Sequence, residues 1–220
     1  MRILVFDTET TGLPPQNQYK VTEQNVAMWP HILQMSYVLF QTENNKVVKV
    51  GDSIIKLSPE VIISEGSLKV HGISRDMSEQ NGINIVHALI KFMEGVKESD
   101  IIIGHNIGFD LNMVYAEMMR NRDELIAYKP LLEAKKFYCT MKETTQFCCI
   151  ESPYYGKNYN KLKAPKLIEL HDKLFGEVPS LDLHNSLNDV IVTLRCYMKF
   201  KYDKDVNDTV YNQIFEGDSE

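Results

Sequence analysis

The chain opens on a short apolar run, residues 3–6, that passes straight into Asp7 and Glu9 before Thr10, Thr11 and Gly12 break it. An apolar run bounded by turn residues predicts a buried strand, here one that ends in two carboxylates. Residues 14–23 are polar, carry Pro14 and Pro15, and predict a loop. Residues 32–40 and 46–57 predict two more strands joined by a turn at Glu43, Asn44 and Asn45, so the first three strands should form an antiparallel meander. Residues 59–67 predict irregular chain or a short helix, and Val70, His71, Gly72 and Ile73 a compact turn. Ile83, Val86, Leu89, Ile90, Met93 and Val96 recur at helical spacing and predict an amphipathic helix over 83–96. A short strand over 101–104 and a turn over 105–108 then lead into a helix over 110–120.

Residues 125–142 predict a helical or irregular connection that ends in a short strand at 137–141, and 144–163, with Pro153 and Gly156, is the least regular stretch. Pro165 suits the start of a helix over 166–175 that Gly176 stops. After a loop at 181–185, a long helix over 187–200 turns Leu187, Val190, Ile191, Leu194 and Met198 inward. From Tyr202 the pattern becomes polar and acidic, so residues 1–202 read as one domain and 203–220 as a loosely attached tail. Strands followed by alternating helix and strand give an α/β class, a mixed central sheet of antiparallel meander plus parallel strands flanked by helices.

Composition narrows the function. With 220 residues and 44% hydrophobic content, the chain can bury one substantial core. Its 24 Lys plus Arg against 30 Asp plus Glu leave a formal net charge of -6, which argues against a protein that grips nucleic acid through bulk charge. Carboxylates neutralised by bound metal would reduce that deficit locally. Cys139, Cys148, Cys149 and Cys196 form no C-x-x-C pair and read as reduced thiols of an intracellular protein, cytoplasmic or nuclear. No stretch approaches the roughly 20 apolar residues of a membrane span, so a soluble protein with no membrane partner is expected.

Strand side chains alternate, so Asp7 and Glu9 project to one side of the sheet. Two negative charges so close repel, and oxygen ligands of this kind suit Mg²⁺ or Mn²⁺ rather than zinc. A solvated strand end is the plain alternative. Asp110 sits near a helix start, where free N–H groups and the helix dipole favour a carboxylate, and capping alone would explain it. His184 lies five positions before Asp189 and could be no more than a polar loop histidine.

Together these residues form an ordered series. DTETTGL at 7–13, VHGI at 70–73, HNIGFDL at 105–111 and LHNSLND at 183–189 resemble, in order and spacing, the motifs of the DnaQ-like (DEDDh) exonucleases, over nearly the whole chain. The resemblance implies a ribonuclease H-like fold and metal-dependent 3′-to-5′ hydrolysis of nucleic acid to nucleoside monophosphates. It implies two Mg²⁺ or Mn²⁺ ions, about 3.5–4 Å apart in such sites. By carry-over, Asp7 bridges both ions, Glu9 and Asp189 hold the one that carries the attacking water, Asp110 serves the other, and His184 is the general base. An unperturbed imidazole titrates near about 6.5 and can accept a proton at neutral pH.

By the same resemblance, Thr10, Thr11, Gly12 and Leu13 line the terminal sugar and base, Val70 and His71 approach the terminal base, and Asn106 and Phe109 shape the pocket, with Phe109 stacking on a penultimate base. The plain alternatives are that Gly12 serves only the turn, Leu13 only the core, and His71 only the local structure; His105 is expected to fix its turn. Cys139 and Thr140 stand where many relatives carry Asp-Thr, and Ser186 and Leu187 where many carry Ala-Leu; neither departure touches an implied ligand. Tyr154, Tyr155 and Tyr159 interleave with Lys157, Lys161, Lys163 and Lys166, which suits a wall tracking a single strand or a solvated loop without that duty.

The expected partner is a single-stranded 3′ end, DNA ahead of RNA, with any polymerase or repair partner held non-covalently. An exoribonuclease trimming RNA 3′ ends, a phosphoesterase acting on free nucleotides and a non-catalytic nucleic-acid-binding module are the alternatives.

Overall fold

The computed structural model describes residues 1–16, 20–152 and 162–216. Strands β1 (Arg2–Thr10), β2 (Ile32–Gln41) and β3 (Lys46–Ile54) form the expected antiparallel meander. Strands β4 (Ile101–Gly104) and β5 (Lys136–Cys139) add in parallel beside β1, giving one mixed sheet in the order β3-β2-β1-β4-β5. Period-two alternation divides the strands between two cores. Leu4, Phe6, Met35, Tyr37, Leu39 and Ile102 face helices α3 (Ile85–Glu98) and α4 (Gly108–Arg120). Ile3, Val5, Val38, Phe40 and Ile103 face the long helix Ser186–Tyr202.

The helices follow their local signals. Ser64 caps α1 (Glu65–His71) by accepting from the Ser67 amide, and Gly72, at φ 71°, closes it in the left-handed conformation that glycine adopts without strain. This helix replaces the expected compact turn at 70–73, because a good cap starts it early enough to run through His71. A further helix, α2 (Arg75–Asn81), is capped by Ser74 and was not legible in the apolar pattern, since RDMSEQN shows no helical stripe. Strand β3 stops at Ile54, short of the expected Leu57: the Ile55 amide still donates to the Leu33 carbonyl of β2, but the Lys56 amide turns to the carbonyl of Ile83. Gly51 lies directly opposite Tyr37, whose ring occupies the space any side chain at 51 would need.

Beyond β5 come short turns of helix at Thr140–Glu143 and Thr145–Cys148 and an antiparallel pairing of Ile150–Glu151 with Leu162–Lys163. Helix α5 (Leu167–Phe175) ends at Gly176, φ 73°, as its sequence predicts, and packs on α6 (Ser186–Tyr202) through Leu167, Leu170, Val192 and Cys196. Of the Tyr/Lys-rich stretch, Tyr154, Tyr155, Lys157, Tyr159 and Lys161 lie outside the described residues, and Lys163 is paired with Glu169.

The loosely attached tail does not hold for residues 203–216. Helix α7 (Asn207–Tyr211) and a wide turn at Asn212–Glu216 fold back, burying Val206 and Val210 with Ile3, Phe40 and Met198. Gln213 accepts from the Val47 amide and donates to the Asn45 carbonyl, at the outer edge of the sheet. Arg195, nearly buried, grips Asp205 through two hydrogen bonds of 2.9 and 2.8 Å, donates to His171 and stacks 3.9 Å over the Phe175 ring. Two valines spaced i, i+4 in a polar context carry too weak a pattern to announce this packing. Burying them stabilises by about 2–4 kcal/mol. A chain ending at Tyr202 is therefore expected to melt about 5–10 °C lower than one ending at Glu220, measured by circular dichroism; equal midpoints would show that 203–216 contribute nothing.

Candidate active site

Strand β1 outruns its neighbour. It pairs with β4 only from Ile3 to Val5, so Asp7, Thr8 and Glu9 lie beyond the end of β4, where the carboxyl ends of the parallel strands open a crevice. Asp7 and Glu9 continue the side-chain series of Ile3 and Val5 and so face α6. The start of that helix is fixed by Asn185, whose side chain accepts from the Leu187 and Asn188 amides. Asp189 stands one turn inside. The result is a group of three half-buried carboxylates, Asp7, Glu9 and Asp189, with one oxygen from each lying within 4.8 Å of the others.

Asp110 stands outside that group of three, on the α4 side, near enough for its charge to act on Asp7 and Glu9. It is buried in the first turn of α4, and its Oδ1 accepts from the Thr8 amide at 3.0 Å and the Thr8 hydroxyl at 2.8 Å. Thr8 thus meets the carboxylate at a point where β4 offers no strand partner. Nothing in the sequence marks Thr8 for this role, because an alternating strand predicts only which face a residue takes, not its partner.

The four acids disfavour one another's charge. Burial, then the charges of Asp110, Asp189 and Glu9, hold Asp7 well above the usual carboxylate range. Burial with the neighbouring Asp189 and Asp110 pushes Glu9 up to about 8. Burial raises Asp110 to about 7 against the opposing hydrogen bonds from Thr8, and Asp189 to about 6 against the hydrogen bond from the His184 amide and the nearby imidazole. Such an all-oxygen, mutually repelling donor set fits a hard divalent cation, which would supply the missing positive charge.

His184 sits at the rim. Its amide donates to Asp189 Oδ2 at 3.1 Å, its side chain is exposed, and its backbone takes φ 72°, a left-handed conformation unusual outside glycine. Asn106, at φ 65°, makes the corresponding turn into α4, and its carbonyl accepts from the Phe109 amide. Phe109 is half-buried against the core on the α4 side. His105 bridges Thr140, at 2.9 Å, and the Pro165 carbonyl, at 3.0 Å; burial lowers its pKa to about 4, so it is a neutral brace for the turn.

The segment after Glu9 is held from several sides. The Thr10 hydroxyl donates to the Gly12 carbonyl, the Thr11 hydroxyl accepts from the His31 amide, the Thr11 amide donates to the His31 carbonyl, and the Ser64 amide donates to the Thr11 carbonyl. His71 places Nε2 3.2 Å from the Thr10 carbonyl, while Nδ1 accepts from the Ile73 amide. Both nitrogens are engaged, so the imidazole ties α1 to the end of β1, and burial favours its neutral form. Leu13 and Val70, 84% and 52% exposed, present apolar surface to solvent, and Leu13 is no core residue.

Among the described residues, no helix is long and apolar enough to cross a membrane. No curated protein sequence matches this chain. Solved structures do. The nuclease domain of 3′hExo, described as a DEDDh family member bound to rAMP, superposes with a TM-score of 0.65 at 16% identity, covering 93% of both chains. E. coli exonuclease I gives a TM-score of 0.66 both in its zinc-bound complex with single-stranded DNA (14% identity, 92% of this chain and 41% of that one) and with a dT13 oligonucleotide (16%, 96% and 44%). The present chain thus spans about two-fifths of the length of exonuclease I, and at these identities the likeness shows the shared ribonuclease H-like fold. The RNase_T model, described as exonuclease, matches residues 4–197, and with that match over most of its length the chain belongs to this exonuclease family.

Proposed function

We propose that the chain is a divalent-metal-dependent exonuclease that removes nucleotides one at a time from the 3′ end of single-stranded nucleic acid, DNA ahead of RNA. The observation that carries this reading is the convergence of Asp7, Glu9 and Asp189, with Asp110 beside them, into a pocket whose carboxylates resist ionising without a cation. A binding module has no physical reason to accumulate that repulsion.

Asp7, Glu9, Asp110 and Asp189 would hold two Mg²⁺ or Mn²⁺ ions. When bound, these supply charge neutralisation for a phosphodiester and lower the pKa of water. The rest falls to the chain. Thr8 restrains Asp110, and the His184 amide restrains Asp189, so the acids are preorganised rather than recruited. The imidazole of His184 stands exposed at the rim and, among the described residues, no hydrogen bond engages it, which leaves it able to take the proton from the attacking water. Thr10, Thr11, Gly12 and Leu13, braced by His31, Ser64 and His71, form a fixed ledge for the terminal sugar and base. Val70 offers that base an apolar contact, and Asn106 and Phe109 border the other side of the pocket.

DNA stands first because three of the exonuclease I structures are complexes with single-stranded DNA or deoxyoligonucleotides. The exoribonuclease reading keeps one observation in its favour: a neighbour matched over 93% of both chains, the nuclease domain of 3′hExo, is bound to rAMP. End-labelled single-stranded DNA and matched RNA, incubated with Mg²⁺, Mn²⁺ or chelator, test both. Stepwise loss from the 3′ end with metal, none with chelator, and a fall of at least about 10³-fold in Asp7→Asn are expected. Loss from neither polymer, or full activity in Asp7→Asn, would refute the enzyme; faster loss from RNA would select the second reading.

His184→Ala is expected to cut turnover by about 10²–10⁴-fold while leaving Mn²⁺ affinity within about twofold of wild type, measured by calorimetry. Unchanged turnover at neutral pH would remove the base role.

A further inference from the structure

Strand β2 is buried along its length, yet Gln34 and Ser36 interrupt its apolar series, 3% and 0% exposed. Register places them beside the site: Ser36 is opposite Asp7, Gln34 opposite Glu9, and on the outer side Ser36 is opposite Asp52 of β3. Residues paired in this way project to the same face, so a polar band crosses three strands under the start of α6.

The hydrogen bonds of that band have a fixed direction. Asp52, exposed on the edge strand, can only accept, and its Oδ1 takes the Gln34 amide nitrogen at 2.8 Å and the Ser36 hydroxyl at 2.7 Å. With its NH₂ thus assigned to Asp52, Gln34 must present its carbonyl oxygen inward, where it accepts from the Ser186 amide at 3.3 Å. With its proton given to Asp52, the Ser36 hydroxyl can only accept from the Ser186 hydroxyl, which contacts it closely. Both arms therefore end on fully buried Ser186, the first residue of α6, one turn before Asp189 and two residues after His184. Without Asp52 the Gln34 amide can flip, and two donors would then face each other at Ser186.

We infer that Asp52, acting through Gln34, Ser36 and Ser186, is a positioning residue for Asp189: a surface carboxylate two strands from the pocket that sets the phase and depth at which α6 delivers its acid to Asp7 and Glu9. The inference rests on the metal-site reading given above. Groups that orient ligands in this way change metal affinity by about 10–100-fold when removed.

The test is Mn²⁺ affinity of the full chain by titration calorimetry, with the thermal midpoint in chelator recorded alongside. Asp52→Ala is expected to weaken Mn²⁺ binding about tenfold, Ser36→Ala about threefold, and Asp52→Asn, which keeps an acceptor oxygen, to remain within about twofold of wild type. If Asp52→Ala does not fold, Ser36→Ala against Asp52→Asn decides the matter. Wild-type affinity in Asp52→Ala and Ser36→Ala overturns the inference. Equal weakening in Asp52→Asn and Asp52→Ala also overturns it, because charge alone would then be responsible. Asp7→Asn in the same series separates the two failures: if it too binds Mn²⁺ normally, the metal site itself is wrong, whereas its loss beside a normal Asp52→Ala defeats only the role of Asp52.

Discussion

Holding Asp7, Glu9, Asp110 and Asp189 together away from water, where burial first and mutual repulsion second oppose their charge, is the constraint to which the surrounding architecture answers. An unfolded chain would let these carboxylates separate and ionise near pH 4, whereas the fold holds them together partly out of water, with Glu9 raised to about 8. Below the ordinary carboxylate range both states are protonated and no cost arises. Above it the unfolded chain loses protons that the folded site keeps, so the metal-free fold becomes less stable as pH rises toward about 8. A bound divalent cation reverses the balance by favouring the ionised form.

Withstanding that repulsion needs rigid supports on both sides of the sheet. On one side, α4 is packed against the core of Phe6, Met35 and Phe92, and Asp110 is locked by Thr8. On the other, α6 lies across Ile3, Val5 and Ile103, is backed by α5, and is closed over at its far end by the returning chain around Val206 and Val210. The polar band from Asp52 to Ser186 then fixes how α6 begins. Each support acts on a different acid, so the site draws on separate parts of the chain, residues 7–9, 110 and 189, with no continuous segment holding it alone.

The sequence discloses the acids and conceals their supports, for a physical reason. Period two puts Asp7 and Glu9 on one face, and motif spacing identifies Asp110, His184 and Asp189; these are local facts. The five strands and the main helices follow equally local patterns, within a residue or two at their ends except where β3 stops three residues early. What cannot be read locally is pairing. Gln34 and Ser36 look only like interruptions of an apolar strand, Thr8 like a strand filler, and Asp52 like a surface charge until register brings them beside their partners. His71 is similar: it suggests chemistry by type, yet the hydrogen bonds of its ring tie α1 to β1, whereas His105 braces its turn as its place in the sequence leads one to expect. Val206 and Val210 lacked a repeating stripe, and only the third dimension shows the surface they cover.

Counting the protons displaced by a divalent cation addresses the central claim most directly. Titrating Mn²⁺ into the chain at pH 7 by calorimetry, in buffers of different ionisation enthalpy, is expected to release about one proton or more per site filled, and fewer at pH 9, where Glu9 ionises unaided. Binding without proton release at pH 7, or no binding, would contradict the account of four acids held together for a cation to neutralise.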